Sequence, residues 1–398
     1  MDRAGGRGGP AVTGPPAARQ VGIGAAAVAV ASVVASAFGY LVPVLGARTL
    51  TAADLGALAT VLAIAGIVAM PAMGLQIAVA VHRAKRPGAT AGRAARLTAA
   101  ACTAVVAALA PFAGPLFDLP ATVLLLLAVY TGAIVLSGRW LGELQGDERF
   151  LPLAAGMAIQ AAGRYGGLSA GLLLGAGVTG SMLIGTVTTL LVPAALAVLH
   201  RAGTPAGPGI TVRQVLTACS AALAMLVVSY ADLLIARVLL PAAESGAYSV
   251  GTVLTKGAMW APQVVTVLVL PRLAHRSRRA LLLAAGLVTA SGAVLVTASA
   301  LAGGLAFQAA GGPDYVHLGR YAWVFAATGA LYALVYVLVN AQVAAGARWP
   351  SAPLWAGTGV LLAVATLIPH TFPAIMWSAT GTALLVLAAT TVSVLRRS

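Results

Sequence analysis

Charge is what this chain has least of. Only 8% of its 398 residues are Asp, Glu, Lys or Arg, where a water-soluble domain carries about 25%. A globule built for water is excluded. Acids are scarcest, nine against 24 Lys and Arg. Lysine occurs only as Lys85 and Lys256. Neither follows the Gly-x-x-x-x-Gly spacing with which a P-loop cradles phosphate, so no nucleotide-driven step is expected. Any vectorial work must draw on an ion gradient, the membrane potential or removal of product. Cys102 and Cys219 stand alone in apolar segments and form neither a disulfide framework nor a thiolate metal site. No two histidines have metal-ligand spacing, and no metal or cofactor is expected.

In place of charge the chain has apolar length: 60% of it is hydrophobic. About 20 mainly apolar residues suffice to cross the hydrocarbon core as a helix. Twelve runs meet that need, at 21–45, 55–81, 95–117, 120–139, 151–175, 177–199, 212–238, 246–271, 280–306, 320–344, 352–369 and 373–395. Backbone polar groups in lipid must be paired internally. These runs are long and continuous, so helices answer that demand and a barrel of short alternating strands does not. The expected fold is an all-α polytopic membrane protein of about twelve spans.

The net charge of +15 invites a nucleic-acid reading, but its distribution gives a simpler account. Nineteen of the 24 Lys and Arg fall in the tails and one alternate set of connections. Three, Arg48, Arg237 and Arg320, fall in the other set, and Arg164 and Lys256 lie inside spans. Such bias sets membrane orientation. Both termini are therefore expected in the cytoplasm of a cell-membrane protein, with basic loops against anionic headgroups and no nucleic-acid partner. Residues 1–20 are rich in Gly, Pro and Ala and read as a disordered tail.

Leu50-Thr-Ala-Ala-Asp-Leu-Gly-Ala and Leu240-Pro-Ala-Ala-Glu-Ser-Gly-Ala repeat one phrase. A proline recurs deep in the apolar stretch after each copy, at Pro71 and Pro262. This reads as an internal duplication: a six-helix lobe over 21–199, a Gly/Pro-punctuated linker over 200–211, and a second lobe over 212–395. Six spans separate the copies, so the lobes are parallel repeats about an axis along the membrane normal. Transporters of this design place their substrate path between the repeats. The acids of the repeated phrase have a structural account, since Thr51 with Asp54 resembles a capping box and Glu244 suits a first helical turn.

Charges inside spans are costly and generally face an interior or a watery cavity. Arg164 falls about 20 Å into the fifth segment at ~1.5 Å per residue. Arg164 and Lys256 are candidate substrate-binding residues for a diphosphate, Arg through its bidentate fork and Lys as a point charge. Asp232 is either a coupling group or the structural ion-pair partner of Lys256. Trp140, Trp260, Trp323 and Trp349, toward segment ends, read as interfacial anchors.

Thr49-Leu-Thr-Ala-Ala-Asp-Leu-Gly followed by Gly74-Leu-Gln resembles the first hairpin of the polysaccharide flippases. Those belong to the multidrug, oligosaccharidyl-lipid and polysaccharide exporter superfamily. Leu144-Gln-Gly-x-x-Arg-Phe150 is similar to their connection between helices four and five. Asp232-Leu-Leu-Ile-Ala-Arg, Gly246-Ala-Tyr-Ser and Pro271-Arg-Leu are similar to their seventh and eighth helices. The resemblance runs in order over about residues 40–275. It implies a V of two lobes around a cavity faced by helices one, two, seven and eight. It also implies movement of a lipid-diphosphate-linked glycan to the outer leaflet by alternating access. Two alternatives stand beside it. A multidrug or toxin extruder shares the fold, although helices one to six carry no acid in mid-span for coupling. An integral-membrane glycosyltransferase would use an acid where Asp54 lies, but Asp54 has a twin in Glu244 and no large outer domain is present.

Orientation is directly testable. In a Cys102→Ser/Cys219→Ser background, Thr90→Cys and Thr204→Cys are expected to react only with reagents delivered to the cytoplasmic side. Labelling of position 90 by an impermeant reagent outside intact cells overturns the orientation.

Overall fold

The computed structural model describes residues 15–117, 119–200, 209–260, 263–274 and 277–396. Every element among them is helical. The first half comprises α1 (Pro15–Thr49), α2 (Ala52–Val68), α3 (Met70–Lys85), α4 (Gly92–Phe117) and α5 (Ala121–Gly146). It continues through α6 (Phe150–Ala161), a π turn over Ala162–Gly166, α7 (Gly167–Leu173) and α8 (Gly177–His200). The second half has α9 (Val212–Leu239), α10 (Ala242–Trp260), α11 (Gln263–Ala274), α12 (Arg278–Leu301) and α13 (Gly303–Gly311). A 3-10 stretch over Pro313–Tyr321, α14 (Ala322–Ala344), α15 (Ala352–Ala365) and α16 (Phe372–Leu395) complete it.

Ten stretches are long and apolar enough to cross a membrane by length and composition. They coincide with ten of the twelve expected runs. The fifth run is α6, the π turn and α7 in unbroken succession. The eleventh is α15, whose 14 residues reach ~21 Å, short of the ~30 Å core. Residues 1–14 of the expected tail lie outside the described residues, as do 201–208 of the linker and Pro262. Helix begins at Pro15, ahead of the run drawn from hydropathy.

The two halves share a packing scheme. In the first, α5 packs on α3, α4 and α8; in the second, α14 packs on α10, α11, α12 and α16. The pairing of α1 with α6 and α7 is matched by α9 with α15, and that of α8 with α7 by α16 with α15. The repeated phrase opens α2 and α10. Thr51 Oγ1 accepts from Asp54 N at 3.2 Å and donates to Asp54 Oδ2 at 2.8 Å, a local cap that leaves Asp54 no unusual chemistry. Glu244 is exposed in the first turn of α10.

The packing of α3 on α5 is set by three glycines that composition alone did not single out. Gly138, Gly142 and Gly146 recur every four residues and make one stripe along α5. A Cβ on them would stand 2.6 Å from the carbonyl oxygens of Ala72, Gln76 and Ala80 respectively. Without those Cβ atoms the backbones of α3 and α5 lie against each other, the small-residue packing that substitutes for hydrophobic drive in lipid. At the foot of this seam Arg83 holds Asp147 bidentately at 2.7 and 3.0 Å.

The stripe makes a stability prediction. Gly142→Ala is expected to lower the thermal midpoint of the detergent-solubilised protein, at an overpacking cost of about 1–3 kcal/mol. Gly381→Ala, where a new Cβ meets nothing within 4 Å, is expected to leave it unchanged or raised. Equal midpoints for the two variants contradict the close-packed seam.

Candidate functional site

A cavity of about 850 Å³ lies between the halves. The first, second, seventh and eighth spans all contribute to its wall, and so do the fourth, fifth and tenth. Its lining includes Ser32 and Ser36 of α1, Gln76 of α3, Tyr130 and Gln145 of α5, Tyr230 of α9, Trp260 of α10 and Asn340 of α14. Arg164 carries the one formal charge on that wall; no Asp or Glu lines it among the described residues.

Arg164 reaches the cavity from the π turn Ala162–Gly166. A π turn places one residue more in the coil than an α turn does, which re-aims the side chains around it, and such turns gather at functional sites. The widened turn leaves the Gly163 carbonyl looking for donors. Thr188 Oγ1 of α8 supplies one at 2.7 Å, and Thr189 Oγ1, which donates chiefly to the Gly185 carbonyl at 2.6 Å, lies 3.2 Å away. The guanidinium is oriented in turn. Its Nε donates to Tyr130 Oη at 3.1 Å, and Cζ sits 4.9 Å from the centre of the Tyr165 ring. The arrangement is a cation held by two aromatic side chains on the wall of a mid-span cavity.

Lys256 is placed differently. It does not line the cavity. Its amine donates to the Ser229 carbonyl and lies 3.5 Å from the centroid of the Tyr230 ring. Tyr230 is a lining residue, so the lysine stands behind an aromatic on the wall. Asp232 is 4% exposed and accepts from Tyr248 Oη at 3.0 Å. Tyr248 in turn meets Phe325 and Phe372 edge-on, each with ring centroids 5.3 Å apart. Asp232 and Lys256 share the α9–α10 hairpin, but no N···O contact within 4 Å joins them among the described ion pairs. Trp260, expected as an interfacial anchor, lines the cavity and meets Tyr336 edge-on at 6.0 Å.

The runs drawn from hydropathy ended at 139 and resumed at 151, which left residues 140–150 as the connection between the fourth and fifth spans. In the structure α5 runs on through Gly146, because each of its polar residues finds a partner. Glu143, 2% exposed, pairs with Arg139 at 2.9 Å and lies 3.4 Å from His200 Nε2. Gln145, also 2% exposed, accepts from Gln76 Nε2 at 3.0 Å. Tyr130, Tyr165, Gln76 and Gln145 were not assigned from sequence. The two glutamines stood in motifs already noted, Gly74-Leu-Gln and Leu144-Gln-Gly, and an amide in a nearly uncharged span was the available signal.

Neither a family model nor a curated protein matches the sequence. Solved structures match the fold along nearly its whole length. One is the outward-facing conformation of a multidrug resistance MATE family transporter of the MOP superfamily. It has TM-score 0.74 and 14% identity, covering 94% of this chain and 95% of that one. A MATE in the straight conformation gives TM-score 0.73 at 13% identity, covering 95% and 96%. A mutant of the Vibrio cholerae MATE transporter VcmN gives 0.74 at 12%, covering 96% of each chain. At such identities the likeness is one of fold: a polytopic helical membrane protein with the architecture of MATE transporters.

The lysine and the aspartate can be separated by rescue. If Lys256 serves only to offset Asp232, Lys256→Ala leaves a buried acid uncompensated and Asp232→Asn in the same chain restores the parent's thermal midpoint. If Lys256 acts through Tyr230 on the cavity, transport stays lost in the double variant while the midpoint recovers.

Proposed function

We propose that this protein is an alternating-access membrane transporter in which residues 21–199 and 212–395 are the two rocking lobes and both termini are cytoplasmic. One observation carries the reading: a drug-sized cavity, within the ~300–1,000 Å³ range of ligand sites, is walled by both halves of the chain, which share a packing scheme. One fold neighbour is described as a multidrug resistance transporter, and export of a small amphiphile is accordingly the first reading. Its aromatic wall of Tyr130, Tyr165, Tyr230, Trp260 and Tyr336 suits an apolar or ring-bearing body. Arg164, unopposed by any acid on that wall, suits a neutral or anionic head and opposes a cation. Transport and not catalysis is proposed, since Asp54, the acid a glycosyltransferase would need, is engaged in capping α2.

A second reading is favoured by that same arginine. A lipid-linked oligosaccharide carries a diphosphate, and a planar guanidinium binds phosphate bidentately. Under this reading the protein is a flippase for a cell-envelope polysaccharide precursor. Arg164 then receives the diphosphate, Lys256 lends its field from behind Tyr230, and Asp232 serves as ion-pair partner or coupling group. The basic residues of the loops on the face from which α1 starts rest against anionic headgroups in this reading.

Reconstituted vesicles separate the readings. Export of anionic fluorescent amphiphiles in preference to cationic ones, lost in Arg164→Ala and partly retained in Arg164→Lys, is the expected outcome. Wild-type export by Arg164→Ala at equal protein level removes Arg164 from the mechanism. Export of cations alone contradicts the charge argument. Accumulation of a lipid-linked precursor in the inner leaflet of cells lacking the protein, with no export of small amphiphiles in vesicles, selects the flippase.

A further inference from the structure

Pro271 lies inside α11. A proline within a helix has no N–H to give, so the carbonyl four residues earlier loses its helical donor. That carbonyl belongs to Val267. In the apolar interior of a membrane it must be paired by something else. The donor comes from the other half of the molecule: Gln145 Nε2 reaches Val267 O at 3.0 Å. A carbonyl only accepts, so the amide nitrogen must face Val267 and the amide oxygen is left for Gln76, whose Nε2 donates to it at 3.0 Å. All three residues also line the cavity.

The neighbouring contacts lie on the same face of the bundle, the one from which α1 starts and at which α16 ends. Arg272, next to Pro271, lies 3.7 Å from Glu148, three residues past Gln145. The Lys85 amine donates to the Ala344 carbonyl at the end of α14. The main contacts between halves run through α3 and α11, the segments of the second and eighth spans nearest this face, while α2 and α10 pack chiefly within their own halves. The Leu-Gln-Gly and Pro-Arg-Leu motifs therefore dock on each other where the halves close.

We infer that Gln145 is the positioning residue that couples occupancy of the cavity to closure of the terminal face, through the Val267 carbonyl that Pro271 leaves free. Its amide has one foot on the gate and one on the cavity wall. A solute that accepts from the Gln145 amide nitrogen competes for that donor and releases Val267, so loading favours separation of the halves at that face. The inference rests on the alternating-access reading.

The test uses the full chain in lipid nanodiscs, in the Cys102→Ser/Cys219→Ser background. Spin labels at Thr90→Cys and Arg348→Cys report the distance between terminal-face loops of the two halves, at acidic and at neutral pH. Gln145→Met keeps the side-chain volume and removes both hydrogen bonds. It is expected to move the ratio of long to short distances about twofold to tenfold toward long, the effect of one ordinary hydrogen bond. Pro271→Ala leaves Gln145 intact but hands Val267 an intrahelical donor, and it is expected to shift the ratio the same way. The double variant is expected to go no further than the larger single effect, since both changes remove one bond. Gln76→Met, which spares the Val267 bond, is expected to keep the parent's ratio. Size-exclusion profiles establish that each variant is folded, and Pro271→Ala carries the test if Gln145→Met is not. A parent that samples both distances, with an unchanged ratio in Gln145→Met or, failing that, Pro271→Ala, overturns the role of Gln145 and leaves the transport reading standing. A single short distance in the parent and every variant at both pH values overturns both.

Discussion

A backbone carbonyl has no water to turn to inside a membrane, and this constraint accounts for three places where a carbonyl of the described residues is met by a side chain of another helix. The π turn of the fifth span opens the Gly163 carbonyl, and Thr188 closes it from α8. Pro271 frees the Val267 carbonyl, and Gln145 closes it from the opposite half. The end of α14 leaves Ala344, and Lys85 closes it. Each repair is a side chain from another helix, so each irregularity also becomes a tertiary contact. The irregular places are thereby the places where helices recognise one another. Two of them, the π turn and the Pro271 turn, border the cavity.

The few charges obey the same economy. Arg83 with Asp147 and Arg139 with Glu143 pair as closely as hydrogen bonds; the first ties α3 to the end of α5 and the second runs along α5 itself. Their value lies in geometry more than energy, because partly exposed pairs contribute little stability. Deeper in the bundle, Asp232 relies on a tyrosine hydroxyl and Lys256 on a carbonyl and a ring. Arg164 follows that deeper pattern, held by Tyr130 and Tyr165 rather than by an acid. A positive charge with aromatic but no anionic neighbours keeps its field for whatever enters the cavity.

Hydropathy located the spans because burial in lipid acts on every residue of a run at once. Ten of twelve segments are long apolar stretches in the structure, and the other two are the π-interrupted fifth and the short α15. The repeated phrase marks two helix starts: Asp54 lies in the capped first turn of α2 and Glu244 in the first turn of α10. Arg164 was legible because a lone charge in a span stands out against its surroundings. Its partners were not, since Tyr130 lies 34 residues away and nothing in its local context marks it. Glu143 and Gln145 fell in the connection between runs because hydropathy counts their polarity and cannot count the partners that cancel it. The glycine stripe of α5 went unread because, among 46 glycines, spacing alone does not tell which ones have a carbonyl across from them.

That stripe ties the local features into one device. Gly142 and Gly146 bring α5 onto α3 so closely that Gln145, between them in sequence, meets Gln76 across the seam. A wider α3–α5 separation would carry Gln145 away from Gln76 and change its approach to Val267. The seam is a contact within the first half, while the Val267 bond is a contact between halves. In the proposed alternating-access cycle, rocking of the halves breaks the second without disturbing the first. The glycines, the amide pair and the proline-freed carbonyl thus form a series in which only the last link must yield, and that link lies at the cavity floor, where a bound solute can reach it.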